Sequence, residues 1–161
     1  MSDDVKIVMP LNKIKQKVGH GGVSEERLNK ADEIFTRMAH DFPAIAKDDL
    51  DTIEEIAERL SKTGVLTDEE RTKIQDSAIM LKSSGAMFHY PIVTDMAQSL
   101  LNFIENVPEI RKEVIDIIIA HHKSLKLVIE TKKTGDTGDY GDLLMSELTK
   151  VVKRYYNTRN K

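Results

Sequence analysis

Apolar residues recur every three or four positions through successive segments of this 161-residue chain, which is the spacing of one face of an α-helix. Residues that stop or start helices separate these segments, among them Gly64, Pro91 and Pro108. Apart from a short apolar run at residues 5–9, no pattern typical of a β-strand is present. The sequence therefore predicts an all-α protein, with antiparallel helices joined by short loops in a four-helix-type bundle.

The predicted bundle is preceded by an extended arm. Glycines at positions 19, 21 and 22 interrupt regular structure, and Ser24 then suits a helix N-cap, with Glu25 and Glu26 in the first turn. We therefore predict an N-terminal arm over residues 1–23 and a single helical domain over residues 24–161. An N-terminal helix and a C-terminal helix are expected in addition to the four central ones.

Several helix ends can be placed from the sequence. Thr67 and Glu70 have the spacing of a capping box, which predicts the start of a central helix. That helix is expected to end at Tyr90-Pro91, where the next one begins. A further helix is predicted to begin at Pro108. The turn-rich segment 134–141 is predicted to be a loop before the final helix.

Composition narrows the classes of function. A formal net charge of −3 disfavours a protein that binds nucleic acid by neutralising many phosphates. The chain has no cysteine, which excludes disulfides and thiolate chemistry. Its longest apolar run, around Ile117–Ala120, is far too short to span a bilayer, and no signal-type segment opens the chain. We expect a cytoplasmic protein that neither enters membranes nor binds nucleic acid.

No sequence motif predicts a cofactor or a metal. Neither a phosphate-binding loop nor a glycine-rich strand-to-helix turn is present. The acidic helix face within residues 47–59 has no histidine at ligand spacing, and the acidic loop 134–141 does not match a calcium-binding loop. We therefore expect no cofactor and no metal site.

The predicted helix that begins after Thr67 has two distinct faces. Its buried stripe is expected to contain Ile74, Ala78, Leu81, Gly85 and Phe88. The opposite face carries Gln75, Ile79, Lys82, Ser83 and Ala86. Ile79 is thus an apolar residue that points away from the core. With Met80 and Met87 it favours a contact surface, although scattered surface apolar residues are common.

The histidines differ in their predicted surroundings. His121 falls on an apolar stripe, so we expect it to be hydrogen-bonded and partly buried. His122 is its direct neighbour, and adjacent residues on a helix point in different directions, which argues against a joint metal site. His20 and His40 are expected at the surface, and His89 lies at a helix end.

The stretch Ile79–Pro91 resembles the active helix of the histidine-phosphotransfer (Hpt) domains of bacterial phosphorelays. In that family the helix carries His-x-x-Lys-Gly, two small residues and an apolar-glycine pair at its end. The matching residues here are Leu81, Lys82, Ser84, Gly85 and Phe88. The resemblance extends over most of the chain, and it implies a helical bundle.

Three departures from the family pattern bear on function. Ile79 stands where the family has its phosphorylated histidine, and Ser83 and His89 stand where it has glycines. Phosphotransfer requires an exposed imidazole nitrogen as nucleophile, so the resemblance implies that no catalytic residue remains at Ile79. Lys82 is retained, and it would meet the acidic pocket of a receiver domain.

The resemblance implies a non-catalytic pseudo-histidine-phosphotransfer protein that binds a receiver domain or a histidine kinase and modulates phosphorelay signalling. The expected partner-binding residues are Gln75, Ile79, Lys82, Ser83 and Ala86. Two alternatives stay open. One is an active phosphotransferase that uses His89 or His121, and the other is a helical adaptor or structural protein unrelated to signalling.

Overall fold

A computed structural model describes residues 22–38, 41–132 and 138–159. Within these ranges all regular structure is helical and no strand occurs, which confirms the all-α prediction. The helices are α1 (Glu25–Met38), α2 (Phe42–Ile45), α3 (Lys47–Thr63), α4 (Asp68–Met87), α5 (Pro91–Asn106), α6 (Lys112–Glu130) and α7 (Gly138–Arg159). The predicted arm lies outside the described residues except for positions 22 and 23.

The chain divides into two compact units, Met1–Glu33 and Ile34–Lys161. In the first unit, Ser24 precedes α1 and its hydroxyl accepts a hydrogen bond from the Arg27 amide at 3.4 Å, as predicted for an N-cap. In the second unit, the apolar side chains at the end of α1 (Ile34, Phe35 and Met38) are exposed. The apolar stripe that enters the core of the second unit begins at Phe42.

Helices α3 to α6 form the central four-helix arrangement. Helices α3 and α5 each pack against both α4 and α6, and α7 packs on α6 and α5. The short connections between α3, α4, α5 and α6 place consecutive helices antiparallel. Their shared core consists of aliphatic side chains with few aromatic ones, and its largest fully buried members are Tyr90, Phe42, Phe103, Ile53, Leu60, Ile74, Leu81, Met96, Leu100, Ile104, Ile118 and Leu125.

The turn between α3 and α4 follows the sequence prediction. Gly64 adopts a left-handed conformation with φ of 67° and ends α3. Thr67 begins α4 through the expected capping box, in which the Glu70 amide donates to the Thr67 hydroxyl at 3.2 Å. The Glu70 carboxylate accepts in return from the Thr67 amide at 3.0 Å. The same carboxylate pairs with Arg59, so one acidic side chain joins the end of α3 to the start of α4.

Two predicted boundaries were wrong. Helix α6 begins at Lys112 rather than at Pro108, because Arg111 is extended (φ −126°, ψ 170°) and its carbonyl accepts the first amides of the helix. The predicted loop 134–141 ends earlier, since α7 already begins at Gly138. Gly141 is buried within that first turn, and tertiary packing of this kind overrides the poor helix propensity of glycine. Residues 133–137 lie outside the described part.

The connection between α4 and α5 is unusually tight. A side-chain carbon added at Gly85 would lie 3.0 Å from the Thr94 hydroxyl oxygen and 3.2 Å from the Thr94 amide nitrogen. The Tyr90 amide donates to the Gly85 carbonyl at 2.8 Å, which is the six-residue bond of a Schellman C-cap. Gly85 therefore permits both the close helix approach expected from the sequence and the reversal of the chain.

Aromatic packing attaches α2 to this corner. The rings of Phe42 and Tyr90 have centroids 4.5 Å apart, and those of Phe42 and Phe88 are 5.7 Å apart. Phe42 and Tyr90 are fully buried. Because ring pairs at these separations contribute beyond their buried area, the α4–α5 corner is held from the side of α2 as well.

We predict that Gly85→Ala lowers the free energy of unfolding by about 1–3 kcal/mol, because the added methyl group overpacks the contact with Thr94. Chemical denaturation measures the change. The control is Ser83→Ala on the exposed side of the same helix, where a change within about 0.5 kcal/mol is expected. A Gly85→Ala protein as stable as the parent would contradict the close approach.

A second prediction concerns His89, which ends α4 in a left-handed conformation with φ of 62°. The variant His89→Gly is expected to be more stable than His89→Ala by about 1 kcal/mol, since both lack the imidazole and only glycine adopts this conformation without strain. Thermal or chemical unfolding compares the two.

The matched pair of controls lies three residues earlier, at the exposed helical position Ala86. There the order should reverse, because glycine within a helix is less stable than alanine by about 0.5–1 kcal/mol. The same sign at both positions would refute the assigned backbone conformation of His89.

Candidate functional site

The exposed side of α4 contains the residues that the sequence placed there. Ile79 is 45% exposed, Ser83 and Ala86 are exposed, and Gln75 and Lys82 are partly buried at the edge of the face. The opposite side is fully buried at Ile74, Ala78 and Leu81. Helical phase therefore identified the free face of α4 correctly, whereas its role in binding stays a prediction.

Two methionines extend the apolar character of this face. Met80 is 57% exposed and Met87 is 51% exposed. Both lie beside Ser83, at helical spacings of three and four residues, and Ser83 in turn lies four residues from Ile79. The last two turns of α4 thus expose a group of apolar side chains. We use the term α4 face for these apolar residues and their polar neighbours, namely Ile79, Met80, Ala86, Met87, Gln75, Lys82 and Ser83.

Two serine hydroxyl groups leave this apolar character intact. The Ser83 hydroxyl donates to the Ile79 carbonyl at 2.8 Å, and the Ser84 hydroxyl donates to the Met80 carbonyl at 2.6 Å. Such bonds to the preceding turn use the hydroxyl proton within the helix. A partner would therefore meet mostly hydrocarbon and one cation on the α4 face.

That cation is Lys82. Its backbone carbonyl accepts a hydrogen bond from the Thr94 hydroxyl at 3.3 Å, so this residue borders α5. No carboxylate in residues 22–38, 41–132 or 138–159 lies within ion-pair distance of its ammonium group, in contrast to Lys73, which pairs with Glu69 at 2.7 Å. Lys82 can therefore offer its charge to a partner without first breaking an internal ion pair.

The adjacent histidines of α6 point into different parts of the core. His121 is fully buried, with Nδ1 2.9 Å from the Ile117 carbonyl oxygen and Nε2 3.0 Å from the Ser99 hydroxyl oxygen. His122 is also buried, and its Nε2 lies 3.9 Å from a Glu54 carboxylate oxygen. His121 is more deeply buried than the partial burial that the sequence predicted. The expected divergence of the pair is confirmed.

The positions of the histidines decide whether any of them could accept a phosphoryl group or help to bind a metal ion. Both ring nitrogens of His121 are hydrogen-bonded within the core, so a phosphoryl donor cannot reach them without opening the bundle. His89 is exposed at the α4–α5 turn. His20 and His40 lie outside the described residues. Across the part that the structure describes, no group of three acidic or histidine side chains could hold a metal ion.

The buried histidines predict a pH dependence of stability. Burial lowers the pKa of His121 and of His122 below the ordinary 6.5. The folded state therefore holds both rings neutral, whereas the unfolded chain takes up protons below pH 6.5. The free energy of unfolding should fall as the pH drops through 6.5, by at most about 1.4 kcal/mol per pH unit for each ring.

Denaturant titrations between pH 7.5 and 5.5 test this dependence. Since the Glu54 carboxylate opposes the shift at His122, the fully buried His121 should contribute more to the slope. The variant His122→Gln should retain most of the slope and His121→Gln should lose more of it. Equal stability of the parent protein at both ends of the range would contradict the burial of neutral rings.

Sequence reasoning missed one pairing. Ser99 and His121 are 22 residues apart and meet across α5 and α6. The available signal was a polar residue within the apolar stripe of each helix, but only the packing of the helices brings the two together. This pair lies on α5 and α6 and is separate from the α4 face.

No helix within the described ranges is both long and apolar enough to cross a membrane. No family model, curated protein or solved structure matches the chain. The likeness to the Hpt family therefore depends on the sequence resemblance described above, and it stays a prediction.

Proposed function

We propose that this chain is a non-catalytic protein of Hpt type that binds a receiver domain or a histidine kinase through the α4 face. The observation that carries the proposal is the exposed Ile79 one helical turn from Lys82, which has no ion-pair partner in the described part of the chain. An exposed apolar group beside a free cation is typical of a protein–protein contact. Burial of the apolar group contributes affinity, and the cation orients the partner.

The absence of a nucleophile at Ile79 defines what such a contact can do. An isoleucine side chain has no lone pair to accept a phosphoryl group. A partner docked on the α4 face would therefore be bound by this chain, but no phosphoryl group would pass between the two at Ile79. The chain would act by competition or as an adaptor, and it would withhold its partner from catalytic phosphotransfer proteins.

The expected partner surface is acidic with an apolar margin. Lys82 would lie against carboxylates, as the resemblance implies for the pocket of a receiver domain. Ile79 would bury hydrocarbon next to that ion pair, and Met80 and Met87 would extend the apolar contact on the side of Ile79 away from Lys82. Methionine adapts its shape to varied partners, which suits a protein that engages more than one receiver domain.

The buried position of His121 argues against the alternative in which it carries the phosphoryl group. His89 is exposed, but it follows Ile79 by about ten residues, or about 15 Å at the helical rise. A partner aligned on Lys82 could not address both positions in one pose. The proposed function therefore assigns no phosphoryl acceptor.

The α4 face is tested by titration calorimetry against purified receiver domains and histidine kinases from the same organism. For a domain that binds, Ile79→Glu should weaken affinity about tenfold or more, because it places a charge in the apolar contact. Lys82→Glu should weaken it comparably and reduce the salt dependence of binding, because it reverses the only free cation of the face.

Matched controls lie elsewhere on the bundle. Leu127 is 43% exposed on α6, so Leu127→Glu repeats the Ile79 substitution on another surface. Lys153→Glu repeats the charge reversal on an exposed position of α7. Both should bind like the parent. Unchanged binding by both α4 variants, or transfer of labelled phosphate to this chain, would refute the proposal.

A further inference from the structure

Helix α1 has an apolar face that is left uncovered in the described part of a single copy of the chain. Leu28, Ala31, Ile34, Phe35 and Met38 share this face at helical spacing, and we call them the α1 stripe. None of them is buried, and all except Ala31 are exposed. Single apolar residues on a surface are common, whereas several on one side of a helix indicate a contact surface.

The length of α1 strengthens this conclusion. The helix has 14 residues, and isolated helices of about 12–15 residues are marginal in water. In folded proteins most helical stability comes from the packing of an apolar face. Burial of the α1 stripe against a partner would therefore stabilise α1 itself.

The spacing within the α1 stripe is that of a two-stranded coiled coil. Leu28 and Phe35 are seven residues apart and occupy one seam position of the heptad, the position called a. Ala31 and Met38 are also seven residues apart and occupy the other seam position, d. Because a coiled coil packs one such seam against another, a second copy of this chain is a matched occupant of the stripe.

The charges beside the seam favour a parallel pair. Arg27 occupies the flanking position g, and Glu25 and Asp32 occupy the other flanking position, e. In a parallel pair, position g of one helix lies beside the e position five residues further along the other. Arg27 would therefore meet Asp32 of the second copy, and two-fold symmetry repeats the contact. In an antiparallel pair each flank would face itself, so the carboxylates of Glu25 and Asp32 would repel one another.

We infer that α1 pairs in parallel with α1 of a second copy through the α1 stripe, so that the chain forms a two-fold symmetric dimer. The seam contains only two heptads, so this dimer is weak and depends on protein concentration. The inference makes no use of the α4 face. Its test therefore succeeds or fails independently of the proposed function.

The first test measures the mass of the full chain by sedimentation velocity and light scattering. The concentration series extends to about 1 mM, so that even a millimolar dissociation constant is detected. The mass of the parent chain should rise towards that of a dimer. Phe35→Glu should raise the dissociation constant about tenfold or more, because it places a charge in the seam. Leu143→Glu, at an exposed apolar position of α7, should dimerise like the parent.

The second test concerns the charges. Arg27→Glu and Asp32→Lys should each weaken the dimer, because each places like charges across the g–e contact. The double variant should recover most of the lost affinity, since it restores opposite charges with the signs exchanged. Lys30→Glu makes the same change of charge as Arg27→Glu, but at an exposed position on the outer side of α1. It should leave the dissociation constant unchanged.

The third test determines the orientation through a disulfide. The chain has no cysteine, so Met38→Cys introduces a single thiol at a d position. In a parallel pair the two copies of this thiol face each other and should form a disulfide under mild oxidation. In an antiparallel pair they would lie at opposite ends of the helices, about 20 Å apart. Glu33→Cys, on the outer side of α1, is the control and should stay reduced.

Three results would overturn the inference. One is a parent chain that stays monomeric over the whole series, as it would if its own residues 1–21 covered the α1 stripe. Another is a dimer that Phe35→Glu leaves as strong as the parent. The third is a Met38→Cys chain that forms no more disulfide than Glu33→Cys.

Discussion

The close approach of α4 and α5 at Gly85 determines which side of α4 packs against the bundle and which side, the α4 face, stays in solvent. A hydrogen atom at this position lets the Thr94 hydroxyl and amide nitrogen lie 3.0 Å and 3.2 Å from where a side-chain carbon would stand, which is tighter than most contacts of such a carbon. The Tyr90 amide then closes the turn on the Gly85 carbonyl, and the buried Tyr90 ring receives Phe42 from the side of α2. Because the corner is fixed from both sides, the last two turns of α4 keep one face in solvent. The exposed position of Ile79 follows from this packing.

The sequence predicted those features whose cause is local. Thr67 and Glu70 form a capping box because both partners lie within one helical turn, and Gly64 ends α3 because the residue itself permits the left-handed conformation. Helical phase likewise separated Ile79 from the buried stripe. The start of α6 was missed, because proline tolerates the first turn of a helix but does not require one there. The hydrogen bond between Ser99 and His121 could not be predicted, because it depends on how α5 and α6 pack.

Charge and hydrocarbon have separate roles on this molecule. Several cations of the described surface are paired within their own helices, as Lys73 is with Glu69 and Lys150 with Glu147. Such exposed pairs contribute little to stability, but they reduce the charge that is available to a partner. Lys82 differs because it has no such neighbour. A contact made through it would therefore respond to ionic strength, while the hydrocarbon around Ile79 would set its strength at high salt.

The four tyrosines and the absence of tryptophan have an optical consequence. Tyr90 is buried at the α4–α5 corner, whereas Tyr155 and Tyr156 of α7 pack against Phe103 of α5. Tyr140 lies in the first turn of α7. Near-ultraviolet tyrosine signals of the folded chain therefore arise from the α4–α5 corner and from α7. No indole emission masks them, so the protein reports on both regions through its own chromophores.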